Sequence, residues 1–377
     1  MALLLKNDDC ALRAVCLASN SNSVLVCFSP WSQNPSLDAY GFAEDLCTKY
    51  QWPAVFVIPA RNDWYQSDGC WEVVSAAAEV TSRFRRVVTY GSSMGGYAAL
   101  NYASDLNAKA ALAVMPQFSI DRSKVPFEER WSQEASSTKF VRDKISDESL
   151  AYAKAFVLYD KFYGPDKLQV KKLGALANVE AICLPLMGHS GPGGRLLSDA
   201  LAAIRTDDLA DFPSFVKKNY RKASRDSATR LFQLARLSRF LSTEQRMMLL
   251  KRAAAKEPMN LKVDLVMAEL LIKSSEWARA ANVLLDAVRR HPTVSIFWSY
   301  LGSCQSRMLQ FEVALQSTDK AIRFEPSNAY LYHQKARCYM NLKQFRNAFD
   351  EQLKALALDP HNELYTNQRD EISGHLA

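Results

Sequence analysis

The chain has 377 residues, more than a single domain usually holds, so two domains are the starting expectation. Hydrophobic residues make up 48% and charged residues 23%, which excludes a largely disordered chain, and no uncharged apolar run is long enough to cross a membrane as a helix. The net charge of +7 is uneven: residues 1–213 carry 21 basic and 24 acidic side chains, whereas residues 214–377 carry 26 and 16.

The start, MALLLKNDDC, has no basic leading region and meets Lys6, Asp8 and Asp9 almost at once, so it is not expected to be a secretory signal. Eight cysteines are scattered without a C-x-x-C pair. That argues against a zinc ribbon or disulfide scaffold and favours a reducing, cytoplasmic setting. From residue 11, short apolar runs alternate with helical patterns. Strands are predicted over Ala11–Ala18, Val24–Phe28 and Ala54–Pro59, then a helix over Trp71–Arg83. A strand at Val87–Tyr90, a helix at Met94–Ser104 and a strand at Ala110–Met115 follow. The last elements are strands at Phe156–Tyr159 and Ala181–Leu186, each followed by a helix, near 168–176 and 194–204. Uninterrupted apolar strands joined by helices imply an α/β fold, a mostly parallel sheet with helices on both faces. Residues 117–149 break the pattern. They are polar, carry Phe118, Phe127, Trp131 and Phe140, and read as an inserted lid.

Candidate chemistry follows three of the strands. After Val87–Tyr90 comes Gly91-Ser92-Ser93-Met94-Gly95-Gly96, a G-x-S-x-G pattern in the strand–turn–helix setting that such a turn requires. Side chains at Gly91 or Gly95 would clash in so tight a turn. Ser93 is lifted above the sheet, and the Met94 N–H points where an oxyanion would form. A serine hydroxyl needs a base, and His189 is the single histidine outside the repeat half. The third member is a carboxylate after the Phe156–Tyr159 strand. Asp160, at the strand end, is preferred; Asp166, read as a cap of the next helix, is the alternative. The loop after Val24–Phe28 offers the Trp31 or Ser29 N–H as a second oxyanion donor, since Pro30 has none. The loop Asn62–Gln66 either lines the pocket or packs as surface.

Residues 214–226 include Lys217, Lys218, Arg221, Lys222 and Arg225 and read as a basic linker or a solvated helix face. The alternative is a surface for an acidic partner or a membrane face. No nucleic-acid-binding signature accompanies the charge, so no nucleic acid partner is expected. Beyond it, prolines stand at 258, 292, 326 and 360, each 34 residues after the last. Small residues share the period: Ala268, Gly302 and Ala336, and Ala280, Ala314 and Ala348. Full helix-pair units are predicted at about 261–294, 295–328 and 329–362, within a helical region 227–377. Trp298, Tyr332 and Tyr339 are expected to pack between helices; Asp264 replaces the aromatic in the first unit. On the inner helices, Glu269, Lys273, Ser303, Arg307, His333, Arg337 and Asn341 are the residues expected to face a concave surface.

With these motifs in place, residues 20–205 resemble the α/β-hydrolase superfamily, and 227–377 resemble tetratricopeptide repeats, an all-α solenoid. The order Ser93, Asp160 or Asp166, His189 is the superfamily's order. The resemblance implies a serine hydrolase acting on a carboxylic ester or thioester, as esterase, deacylase or acyltransferase, with no metal or other cofactor. The loop after Val24–Phe28 departs from the superfamily in lacking His-Gly. The repeats would recruit a protein or acidic partner. The alternative is a repeat scaffold carrying an inactive hydrolase-like domain. Acyl group, acceptor, partner and oligomeric state are not written in the sequence.

Overall fold

A computed structural model describes residues 2–376, which divide into two units, one ending at Arg230 and one beginning at Leu231. In chain order the first unit contains β1 (Ala2–Lys6), β2 (Cys10–Val15), β3 (Ser23–Phe28), α1 (Glu44–Lys49), β4 (Ala54–Pro59), α2 (Asp68–Thr81), β5 (Arg86–Ser92) and α3 (Met94–Asn101). It continues with β6 (Ala110–Val114), α4 (Ser132–Ser137), β7 (Lys154–Tyr159), α5 (Gly164–Leu173), β8 (Val179–Cys183), α6 (Gly194–Arg205) and α7 (Phe212–Ser224). The strands form one eight-stranded sheet in the order β1-β2-β4-β3-β5-β6-β7-β8. β1/β2 and β2/β4 are antiparallel, and the remaining pairs are parallel.

Strand side chains alternate between two apolar layers. In β3, Val24, Val26 and Phe28 join one layer, while Leu25 and Cys27 join the other. The first layer is covered by α2, α3 and α5, the second by α1, α6 and α7. With both faces buried, the central strands have no polar side to display, which is why they read as continuous apolar runs.

Three features differ from expectation. β1 lies at the sheet edge, with its residues exposed, so its Leu3–Leu5 run carries no buried pattern. The stretch 214–226 is no linker. It lies almost entirely in α7, where Phe212, Val216 and Tyr220 recur every fourth residue and bury in the second layer. Lys217, Lys218, Arg221 and Lys222 form the opposite, exposed face. Residues 117–149 hold only the short α4, yet Ile120 and Ile145 bury in the first layer, so the segment is a packed cover.

In the second unit, preceded by α8 (Ala228–Leu237) across the division, lie α9 (Thr243–Lys256), α10 (Leu261–Lys273), α11 (Trp277–Arg290), α12 (Ser295–Arg307), α13 (Phe311–Phe324), α14 (Ala329–Asn341), α15 (Phe345–Leu358) and α16 (Glu363–Gly374). The helix starts at 261, 295, 329 and 363, and those at 277, 311 and 345, keep the 34-residue period. This is a tetratricopeptide-like solenoid of antiparallel helix pairs. Ala268, Gly302 and Ala336 are buried, as are Ala280, Ala314 and Ala348, so the paired helices approach closely. Trp298 and Tyr332, one period apart, each donate to the carbonyl of the preceding repeat's proline, Pro292 and Pro326, at 2.8 and 2.9 Å. Asp264, at the equivalent place in the first unit, is buried and paired with Arg290 at 2.7 Å. Among the described residues no helix is long and apolar enough to cross a membrane, and all eight cysteines are free thiols.

Candidate active site

β5 ends in a turn whose tightness is set by two glycines. A Cβ on Gly91 would stand 2.0 Å from the Gly95 carbonyl oxygen, and one on Gly95 would stand 2.2 Å from the Phe28 carbonyl oxygen. No such contact is tolerable, so both positions require glycine. Between them Ser93 takes φ 52° and ψ −118°, a conformation that costs a non-glycine residue about 1–3 kcal/mol. The Ser93 N–H donates to the Val114 carbonyl of β6 at 2.8 Å, and its carbonyl accepts from Tyr97 N–H in α3 at 2.9 Å. Strand and helix thus hold the strained residue from both sides.

His189 comes from the loop after β8, where Leu186, Gly188, Gly191 and Gly193 all have positive φ. Its Nδ1 lies 2.7 Å from Asp166 Oδ2, and its Nε2 lies 3.2 Å from Ser93 Oγ. A carboxylate only accepts, so Nδ1 carries the proton and Nε2 is left to accept from the serine hydroxyl. The Tyr163 ring stacks on the imidazole at 5.5 Å between centroids.

Asp166 is therefore the carboxylate that meets His189, and the preference for Asp160 is corrected. Asp160 is fully buried at the end of β7, but its oxygens face backbone amides: Oδ1 accepts from Phe162 N–H at 3.0 Å and Oδ2 from Gly188 N–H at 2.8 Å. It pins the histidine's loop without touching the ring. Asp166 reaches the ring because α5 begins at Gly164 with Tyr163 as its N-cap, which places Asp166 inside the first turn rather than at a cap. The helix dipole favours a carboxylate there.

Of the candidate oxyanion donors, the Met94 N–H heads α3 and the Trp31 N–H lies in the loop after β3. Among the described residues neither donates to a protein acceptor. The Ser29 N–H is already directed at the Val57 carbonyl, at 3.4 Å, which removes Ser29 from the candidates. The loop Asn62–Gln66 braces this region from behind. The Asn62 amide exchanges two hydrogen bonds with Ser32, and Tyr65 Oη donates to the Ser29 carbonyl at 2.8 Å.

Three further residues, all in the inserted segment, meet the site without any signal in the sequence. Gln117 is fully buried; its Oε1 accepts from Trp64 Nε1 at 3.2 Å, and its Nε2 donates to Ser93 Oγ at 3.3 Å. The indole is only a donor, so it fixes which end of the amide faces the serine. Arg130 donates through Nη1 to Asp166 Oδ1 at 2.9 Å and grips Glu128 through Nε and Nη2 at 2.8 and 2.6 Å. Burial works to raise the Glu128 carboxyl, but hydrogen bonds from Arg130 and Gln169 outweigh it and hold the group below the usual carboxylate range. Burial likewise works against the Arg130 charge, and Glu128 and Asp166 override it, pushing the guanidinium higher still.

In the second unit, all seven of the expected inward residues line one groove of about 530 Å³. Lys273, Arg307 and Arg337 supply its positive charge and Glu269 its one acidic side chain. Trp277, Tyr300, Phe311 and Tyr330 add aromatic walls that the charge pattern alone did not signal. The Arg307 guanidinium lies over the Trp277 ring at 5.6 Å.

No family model matches the chain, and no curated protein matches it. Solved structures similar to part of it include tetratricopeptide-repeat proteins. The first such domain of Spaghetti (RPAP3), bound to an HSP90 peptide, is 20% identical with a TM-score of 0.30, over 31% of this chain and 92% of its own. The Arabidopsis OM64 domain is 19% identical with a TM-score of 0.30, over 31% of this chain and 98% of its own. YrrB, described as having an unusual peptide-binding site, is 14% identical with a TM-score of 0.37, over 46% and 90%.

Proposed function

We propose that the first unit is a serine hydrolase of the α/β-hydrolase type, acting on a carboxylic ester or thioester, and that the solenoid recruits an acidic partner. The observation that carries this reading is the unbroken relay Ser93–His189–Asp166, built on a strained turn at the carboxyl end of a parallel strand. The chain order Ser, Asp, His and the strand–turn–helix setting of Ser93 support the same assignment.

The chemistry follows from the geometry. Ser93 Oγ adds to the carbonyl carbon as its proton passes to His189 Nε2. Asp166 holds the ring and stabilises the imidazolium. Charge collects on the former carbonyl oxygen, to which the Met94 and Trp31 N–H groups donate. The tetrahedral species expels the alcohol or thiol, which takes the proton from His189 and leaves an ester on Ser93. Water, or an acceptor hydroxyl, then attacks that ester by the same steps in reverse and frees the serine. A cleft of about 390 Å³ beside Trp31, lined by Tyr40, Phe42 and Ile58 together with polar Ser32, Asn34 and Asn62, is the proposed seat of the acyl group.

The test is labelling of the full chain by a fluorophosphonate probe, with turnover of a small panel of p-nitrophenyl esters. Labelling of the wild type that disappears in Ser93→Ala is the expected result. A wild type inert to probe and esters alike would reduce the first unit to a hydrolase-like scaffold.

A further inference from the structure

Asp166 divides its two oxygens between two partners. Oδ2 meets His189, and Oδ1 meets the Arg130 guanidinium. A relay needs only the first contact. The second brings a full positive charge onto the acid at a fully buried position, and the charge comes from the inserted segment. That charge is countered on its other edge by Glu128, whose side chain is only 1% exposed. Glu128 is tied in turn to α5: Gln169 Nε2 donates to its Oε2 at 2.9 Å, while Gln169 Oε1 accepts from the Phe118 N–H at 2.8 Å. Helix α5 therefore carries both the acid and the residue that anchors the segment facing it.

Resting on the serine-hydrolase reading, we infer that Glu128 and Arg130 are positioning residues of the inserted segment that set the basicity of His189 through Asp166. Two carboxylates around one guanidinium leave a single uncompensated negative charge, and it faces the imidazole. Formation of the imidazolium neutralises the set, which is the state that the transition state of acyl transfer requires. The other groups around the ring are Ser93 at Nε2, the Tyr163 ring stacked on it, and Asp160, held to the Gly188 N–H beside it. The Arg130 guanidinium also lies 5.6 Å over the Tyr163 ring, so the segment bears on the histidine from two sides.

The two members of the pair pull in opposite directions, and this separates an electrostatic role from a structural one. Glu128→Gln removes the charge, leaves Arg130 uncompensated beside Asp166 and gives up one of the two acceptor oxygens that Arg130 and Gln169 share. The imidazolium is then disfavoured. Arg130→Gln removes the cation and leaves Asp166 at the ring, with Glu128 behind it, uncompensated, so the imidazolium is favoured. A charge within about 4–6 Å moves a pKa by about one unit or more; Arg130 stands one 2.9 Å contact beyond Asp166, and Glu128 one contact further, so about one unit is the size expected. The measurement is the titration of His189 in the full chain by NMR with ring-labelled histidine, its signal assigned by its loss in His189→Gln. The expected result is a shift to lower pH by about one unit in E128Q and to higher pH by about one unit in R130Q, with R130K close to wild type. The low-pH limb of fluorophosphonate labelling should move in step. Shifts of the same sign in E128Q and R130Q, or no shift in E128Q, would overturn the inference. If R130Q does not fold, E128Q and R130K decide the matter alone. Opposite shifts in a wild type and variants that never label would sink the hydrolase reading and leave the coupling to His189 standing.

Discussion

Two glycines illustrate how differently the halves of this chain are built. Gly95, in the turn after Ser93, has only backbone around it: a Cβ would meet the Phe28 carbonyl oxygen at 2.2 Å and the Ser29 carbonyl oxygen at 2.9 Å. Gly302, in the solenoid, has side-chain ends nearest: Thr318 Oγ1 at 2.8 Å and Gln334 Nε2 at 3.0 Å. One period away on either side, the same position is Ala268 and Ala336. The turn is a one-off object in which every atom is fixed by backbone that cannot give. The solenoid is an average over repeats, each contacting mainly its neighbours, and it tolerates a methyl where side chains can move.

The contrast is sharpest at the proposed nucleophile. Ser93→Ala keeps the backbone and removes only the hydroxyl. Turnover of a small ester should fall by about 10⁴–10⁶ in kcat with the folded state retained. Circular dichroism alongside ester kinetics checks both halves of the statement. No single substitution in the repeats should approach that loss on a small ester.

Next in size is the choice between carboxylates. Asp166→Asn removes the acceptor that holds His189 in its productive tautomer and should cost about 10⁴ in kcat. Asp160→Asn leaves the relay intact. An asparagine offers one acceptor oxygen where Phe162 and Gly188 present two N–H groups, so the variant should lose about 1–3 kcal/mol of stability and far less activity. Ester kinetics and urea unfolding on both variants rank them; a larger kcat loss in Asp160→Asn would return the acid's role to the strand end.

Much of this was legible in one dimension. The G-x-S-x-G pattern after an apolar strand marked Ser93 and Met94, elimination marked His189, and the spacing of prolines marked the repeats. Spacing ranks Asp160 above Asp166, yet Asp166 is the carboxylate that meets His189, because spacing counts residues, while a side chain at a strand end and one in a helix's first turn point differently. Gln117, Glu128 and Arg130 were invisible because the inserted segment has no period, and its contacts form only when residues 117–130 fold against Ser93 and α5. The stretch 214–226 reads as a linker because its charged side chains outnumber its apolar ones; Phe212, Val216 and Tyr220, at every fourth position of α7, carry the signal that it is a packed helix. The boundary moves accordingly. Ending the chain after residue 215 would strip Val216 and Tyr220 from the core, about 1.5–3 kcal/mol for each large side chain, whereas ending it at Arg230 keeps them. The longer truncate should stay folded and turn over a small ester; the shorter should unfold at lower urea.

The two glycines give a direct stability comparison. Gly95→Ala should cost more than about 3 kcal/mol, or abolish folding of the sheet unit, because a carbonyl oxygen cannot retreat from 2.2 Å without breaking β3 from the turn. Gly302→Ala should cost less, about 1–3 kcal/mol: the buried Thr318 hydroxyl, bonded to the Ala314 carbonyl, and the Gln334 amide must give way, and helix propensity returns only part of that cost. Urea titration of each variant measures both. A large loss in Gly302→Ala would mean that the repeats are packed as tightly as the turn.

The smallest effects belong to the groove, and their smallness is informative. Lys273, Arg307 and Arg337 stand on successive inner helices, and the groove they line is open to water. Exposed ion pairs contribute about 0.2–1 kcal/mol, so replacing any one by Gln should weaken binding of an acidic peptide by only about 1.5–5-fold. All three together should do more, and the wild-type affinity should fall as salt rises, because screening acts over about 10 Å at 0.1 M. Arg307 is the exception worth isolating. Its guanidinium rests on Trp277, so Arg307→Lys keeps the charge and loses the stacked plane, and Trp277→Leu removes the support from the other side. Anisotropy of a fluorescein-labelled oligoglutamate, read at low and moderate salt, separates these cases. If the groove recognises charge alone, Arg307→Lys binds like wild type at both salts. If it recognises a fixed guanidinium, Arg307→Lys and Trp277→Leu weaken binding alike, and the deficit persists when salt has screened the rest.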